Sequence, residues 1–165
     1  MFPSHDRSVL TSGAHNTALG SDSLKANTTG NYNTAIGRQS LKANTTASNN
    51  TAVGYQTLAV NTTGSKCTAM GAYALDDNTT GERNTSIGYN SMPNTTTGSN
   101  NTAVGSDALV GNATGSYNTA IGYLALQAQT GSYSTAVGYQ AGEDNTGNYN
   151  TFVGNQAGKN VTTGS

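Results

Sequence analysis

Residues 33–49 read NTAIGRQSLKANTTASN, residues 50–66 read NTAVGYQTLAVNTTGSK, and residues 67–83 open with CTAMGAYAL and close with NTTGER. Laid one above another, the three segments agree column by column. Extended in both directions, the register holds for copies beginning at Asn16, Asn33, Asn50, Cys67, Asn84, Asn101, Asn118, Ser134 and Asn150, with six spacings of 17 residues and then two of 16. Self-similarity at so short a period is the signature of a stacked repeat, each copy sealed by its neighbours.

The columns carry the structural reading. Thr always follows the first position. The fourth is always aliphatic: Leu19, Ile36, Val53, Met70, Ile87, Val104, Ile121, Val137 and Val153. The fifth is always glycine: Gly20, Gly37, Gly54, Gly71, Gly88, Gly105, Gly122, Gly138 and Gly154. The eighth is small, and the ninth is Leu or Met in seven copies before it becomes Gly142 and Gly158. Segments of about five residues between turn signals are too short for helices, and their Thr, Val and Ile content suits strands. The Asn-Thr-Thr-Gly stretches supply turn chemistry, with Gly free to take positive φ and Asn tolerant of left-handed geometry. The fifth-position glycine marks a second bend or a close backbone approach. Each unit therefore reads as strand, bend, strand, turn: one coil of an all-β solenoid. Nine coils at the ordinary strand spacing of about 4.8 Å make a rod of about 43 Å, with Thr and Asn columns as hydrogen-bonding ladders. The division is an N-terminal segment with a partial coil (residues 1–15) and a nine-repeat solenoid (residues 16–165).

Composition agrees. Hydrophobic residues are 33% of the chain and charged residues 9%, too few apolar groups for a thick globular core and too little charge for ordinary disorder. A net charge of −1 leaves no basic stripe for phosphates, so nucleic-acid binding is not expected. No apolar run is long enough for membrane insertion. The first residues, with Asp6 and Arg7, do not read as a secretory signal. The single cysteine, Cys67, stands where most copies have Asn, and His5 and His15 lack partners at metal-ligand spacing; neither a metal nor a cofactor is expected.

Alternation along the first strand puts the third-position Ala and fifth-position Gly on one face, with Thr and the aliphatic residue on the other. Small residues suit a thin roll's interior, which turns the aliphatic column outward. Reinforced by Leu24, Leu41, Leu58, Leu75, Leu109 and Leu126, that ridge exceeds what a monomer leaves in water, and a homo-oligomer is expected. The reverse arrangement, with aliphatics inside and Ala outside, stays open on this reading.

The motifs NTAIG (33–37), NTAVGYQTL (50–58) and STAVGYQAG (134–142) resemble the head repeats of trimeric autotransporter adhesins of the YadA type, and more closely the NTAVGYQAL-type arrays of bacteriophage tail fibres. The resemblance covers residues 16–165. It implies a left-handed parallel β-roll, three chains about one axis, and a shaft or adhesin head on a virion surface or outside the cell that contributes to host attachment. Such adhesins carry a signal peptide, a membrane anchor and shorter repeats, which favours the phage-fibre comparison.

Rival functions rest on particular columns. End-to-end stacking of open coils would build a filament. The threonines at 28–29, 45–46, 62–63 and 79–80 form a candidate ice-binding array, although adjacent residues of a strand face opposite ways. Tyr55, Tyr89, Tyr123 and Tyr139, which follow the invariant glycine, are candidate surface contacts for cell-surface glycans; the alternative is rings that shield strand edges or subunit seams. Asp22, Asp76, Asp77, Glu82, Asp107, Glu143 and Asp144 occupy variable slots without a repeated pairing, and no enzyme is expected. Asn27, Asn44, Asn61 and Asn78 match glycosylation sequons, which repetition alone produces.

Overall fold

A computed structural model describes residues 12–163. It is a β-solenoid. One short strand per copy stacks in sequence order into a single nine-stranded parallel sheet: β1 (Thr17–Leu19), β2 (Thr34–Ile36), β3 (Thr51–Val53), β4 (Thr68–Met70), β5 (Thr85–Ile87), β6 (Thr102–Val104), β7 (Thr119–Ile121), β8 (Thr135–Val137) and β9 (Thr151–Val153). The register is column on column: Thr51 pairs with Thr34 and Thr68, Ala52 with Ala35 and Ala69, and Val53 with Ile36 and Met70. Among the described residues no strand pairs within its own coil as a hairpin. Ser12 and Gly13 donate their N–H groups to Thr28 O, which ties these two residues to the first coil.

The sequence reading placed two strands in each coil, and the structure has one. The return side, residues 6–11 of the unit, runs as a chain of turns. It is still tied to its neighbours, with Leu41 N donating to Thr57 O at 3.0 Å, Leu58 N to Ala74 O at 3.1 Å and Val60 N to Asp76 O at 3.1 Å. The departure from strand geometry has a local cause. The seventh and ninth residues of every unit have positive φ, as in Gln56 (52°) and Leu58 (53°). Two left-handed residues so close together cannot lie on an extended strand.

Glycine plays two different parts. At the fifth position φ lies between 122° and 144°, a region L-residues avoid. A methyl added at Gly88 would also sit 2.5 Å from the Gly105 carbonyl oxygen of the next coil. Both expectations for this column, a bend and a close approach, hold together. The turn glycines differ from expectation. Gly64, Gly81 and Gly98 are not left-handed; a methyl there would meet the next turn's carbonyl oxygen and, at Gly64 and Gly81, a buried Asn amide within 2.7 Å. The left-handed residue of this corner is the last of the unit, such as Tyr32 (56°), Asn49 (62°) or Lys66 (62°).

The roll's interior is filled from both walls. Ala35, Ala52, Ala69, Ala103, Ala120 and Ala136 point inward from the sheet and are fully buried. Leu41, Leu58, Leu75, Met92, Leu109 and Leu126 meet them from the return side, also fully buried, with Leu24 nearly so. This corrects the expectation that the Leu column reinforces an outer ridge. Because the ninth residue is left-handed, its side chain turns into the roll, and the leucines supply most of the apolar volume. Packing of this kind is worth about 2–5 kcal/mol per leucine.

Candidate functional site

With Ala and Leu inside, the fourth-position column faces out, resolving the choice that alternation left open. Leu19, Ile36, Met70, Ile87, Ile121, Val137 and Val153 are exposed in the single chain, from 36% at Ile36 to 70% at Val153, and Val53 and Val104 are half-buried. Parallel in-register pairing places these nine aliphatics in one straight row on the outer face of the sheet, one per coil. The strand threonines share that face, half-buried from Thr34 to Thr135 and exposed at Thr17 and Thr151. The row carries no charge.

Behind this face run two buried polar ladders. First-position Asn33, Asn50, Asn84, Asn101 and Asn118 are fully buried, and each side-chain oxygen accepts from a backbone N–H of the coil above or below in register: Asn50 N donates to Asn33 Oδ1 at 3.0 Å, and Cys67 N to Asn50 Oδ1 at 2.8 Å. Their amide nitrogens hold turn carbonyls, as Asn50 Nδ2 holds Gly64 O at 2.9 Å. The second ladder comes from the turn: Asn78 Nδ2 donates to Asn61 Oδ1 (2.7 Å), Asn61 Nδ2 to Asn44 Oδ1 (3.1 Å), and Asn44 Nδ2 to Asn27 Oδ1 (2.9 Å). The sequence reading gave this Asn turn chemistry and expected Asn columns as hydrogen-bonding ladders; the structure adds that the ladder is fully buried. Its burial also withdraws Asn27, Asn44, Asn61 and Asn78 from any role as glycan acceptors in the folded rod.

Where the repeat changes, the ladder shows it. Thr95 stands in the turn-Asn slot and spends its hydroxyl on Asn112 O at 2.7 Å, which leaves Asn78 Oδ1 buried without a partner. Cys67 stands in the first-position slot. Its buried Sγ lies 3.4 Å from Gly81 O, and burial pushes the thiol up to about 11, opposed by the N–H groups of Asn84 and Arg83.

The turn threonines form a third ladder. The hydroxyls of Thr28, Thr45, Thr62 and Thr79 each donate to the carbonyl of the corresponding Thr one coil on, at 2.9–3.1 Å. These hydroxyls are committed within the rod, which weakens the ice-binding reading of the same residues.

The carboxylates singled out earlier do not converge. Asp22 is paired with Lys25 (3.0 Å), Glu82 with Arg83 (3.3 Å) and Glu143 with Lys159 (3.3 Å), while Asp107 accepts from Asn90 Nδ2 at 2.7 Å. Asp76 lies in a shallow groove of about 600 Å³ beside Lys42 and Ala59. Burial and then the Asp77 charge push its carboxyl up to about 6, with the Ala59 N–H acting the other way. Among the described residues there is no His, Cys and carboxylate cluster able to hold a metal ion, and no helix long and apolar enough to cross a membrane. His15 stacks on Tyr32, and His5 lies outside the described residues.

The tyrosines fall in two columns, the sixth and the last residue of the unit, with Tyr73 alone at the seventh. Tyr55 and Tyr89 each meet Tyr73 edge to face, at 5.3 Å and 6.1 Å, and Arg38 lies over the Tyr55 ring at 5.7 Å; Tyr123 and Tyr139 stack at 5.6 Å. All four expected contact residues reach the surface. The second column, Tyr117, Tyr133 and Tyr149, forms a continuous parallel stack. Comparison with protein-family models, with curated proteins and with solved structures finds no match for the chain.

Proposed function

We propose that this chain is a non-enzymatic structural rod that associates side by side with identical copies through its outward aliphatic column, as the shaft or head of an extracellular or virion-surface attachment fibre. The observation that carries the reading is the straight, uncharged row from Leu19 to Val153 on the face of a sheet whose opposite face already fills the roll. An apolar row repeated on every coil is more than a monomeric soluble protein ordinarily leaves in water. A copy with the same spacing can cover it in register along the whole rod. Three chains about an axis is the arrangement that the resemblance to adhesin heads and phage fibres favours, and attachment is the role it suggests.

The test is the mass in solution. Light scattering on the purified chain is expected to give a multiple of the 16.7 kDa protomer. Ile87→Lys with Ile121→Lys is expected to return it to one protomer while circular dichroism still reports β structure. A monomeric mass for the unaltered chain ends the proposal.

A further inference from the structure

Tyr117, Tyr133 and Tyr149 occupy one slot, the last residue of three successive coils. Their ring centroids are 5.0 and 5.1 Å apart, and their planes are inclined by only 4° and 5°. The stack is imposed by the backbone. Each residue is left-handed, with φ of 60–61°, and each N–H donates to the serine immediately before the equivalent residue of the preceding coil: Tyr117 to Ser99 O, Tyr133 to Ser116 O and Tyr149 to Ser132 O, at 3.0–3.1 Å. The rings are nevertheless half or more in solvent, at 53%, 50% and 70%. Parallel phenols at coil spacing, fixed at the root and open at the edge, put the ortho carbons of neighbouring rings side by side. The edge-to-face trio Tyr55, Tyr73 and Tyr89, with planes at 88°, has no such alignment.

From this geometry we infer that the Tyr117–Tyr133–Tyr149 column is a site of oxidative cross-linking, where ring-to-ring carbon bonds join successive coils covalently. The oxidant required is hydrogen peroxide acting through a haem peroxidase. Each of two neighbouring phenols gives up one electron and its phenolic proton. The two radicals couple ortho carbon to ortho carbon, and each coupled carbon loses its hydrogen to the ring oxygen as aromaticity returns. Two tyrosines and one peroxide thus become one dityrosine and two waters.

The placement suits the chemistry. The column runs from the coil of β6 to that of β8 and so reaches the end of the rod, where in the coils of β8 and β9 the inner Leu gives way to Gly142 and Gly158 and the interior is closed by a partly buried Phe152. A covalent tie between coils restrains the end of the stack least held by core packing. The inference stands apart from side-by-side association, since the bond joins coils of one chain.

Treatment of the purified chain with hydrogen peroxide and a haem peroxidase tests it. Dityrosine fluorescence should appear at a yield per chain that does not change on dilution. Each link should lower the intact mass by two hydrogens, distinct from the oxygen gained by exposed Met70. Digestion should release peptides joining Tyr133 to Tyr117 or to Tyr149. Tyr133→Phe keeps the ring stack but leaves the outer phenols two coils apart, about 10 Å, and should lose most of the yield. Tyr73→Phe should lose none. Undiminished fluorescence in Tyr133→Phe, links mapped to Tyr55, Tyr73 or Tyr89, or a yield that falls on dilution would overturn the assignment. The dilution result would point to coupling between molecules and would leave the fibre proposal standing.

Discussion

The middle of the rod and its last two coils solve the same packing problem with opposite choices. In the coils of β2 to β7 the sheet contributes a small residue, Ala or Ser86, and the return side contributes Leu or Met92. Each of those large residues is held left-handed, at φ between 48° and 56°, a conformation that costs an L-residue about 1–2 kcal/mol. In the coils of β8 and β9 the return side has Gly142 and Gly158 in the same conformation, at 58° and 62°, where glycine bears no such cost. The missing volume arrives from the other wall. Phe152 takes the slot that pairs with Ala136 in the sheet, and a methyl added at Gly142 would lie 2.5 Å from its ring. The backbone is the invariant, and the side-chain volume has moved from one wall to the other.

The largest test of that invariance is at the bend. Gly88→Val combines a forbidden φ of 136° with a Cβ 2.5 Å from the Gly105 carbonyl oxygen, a backbone atom that cannot give way. It should prevent the middle coils from stacking, read as loss of the β signal and of the cooperative melt. In the last coil the same column is open: a methyl at Gly154 meets only Ala157 Cβ at 3.8 Å. Gly154→Ala should therefore show conformational strain alone, about 1–3 kcal/mol.

The volume exchange comes next. Leu75→Ala should cost about 2–5 kcal/mol in chemical denaturation. Gly142→Leu should be destabilising beside Phe152, and so should Phe152→Ala alone. Together they rebuild the middle-coil arrangement, and a double-mutant cycle should return a favourable coupling of about 1–3 kcal/mol. Additive losses would break the comparison.

The polar ladders allow changes of either sign. Asn61→Ala removes the acceptor of Asn78 Nδ2 and the donor to Asn44 Oδ1 and Gly64 O, and should cost about 1–3 kcal/mol. Thr95→Asn restores a donor to the orphaned Asn78 Oδ1 and should gain about 1 kcal/mol.

Cys67 sets an effect that shows only at alkaline pH. Its folded thiol is raised from an ordinary value of 9.0 to about 11, so the folded state keeps its proton where the unfolded chain has lost it. The contribution is complete below pH 9 and is lost as pH rises toward 11, up to about 3 kcal/mol. Cys67→Asn should abolish that alkaline loss.

Much of the fold is legible from repetition. Nine equivalent Thr-x-aliphatic-Gly segments demand nine equivalent environments, and parallel in-register stacking provides them; the observed pairs, Thr51 on Thr34 and Val53 on Ile36, follow the columns. The outward aliphatic row was legible as one of two alternatives. The role of Leu58 and its equivalents was not, because leucine has no sequence signal for a left-handed backbone. Nor was the burial of Asn61, since Asn-Thr-Thr-Gly reads as ordinary turn chemistry until its neighbours are in place. The ladder itself was read from the recurrence of Asn in one column; that it runs inside the rod follows because stacked amides can satisfy each other where an isolated buried amide cannot.

By itself, then, the amino-acid sequence determined the period, the order of the stack and which residues lie above which, since a regular repeat can satisfy its backbone only against copies of itself. Tertiary structure alone decided which columns face inward. That choice rests on left-handed turns at the seventh and ninth positions, and a chain accepts such turns from leucine only when the neighbouring coils give the side chain a dry interior to fill.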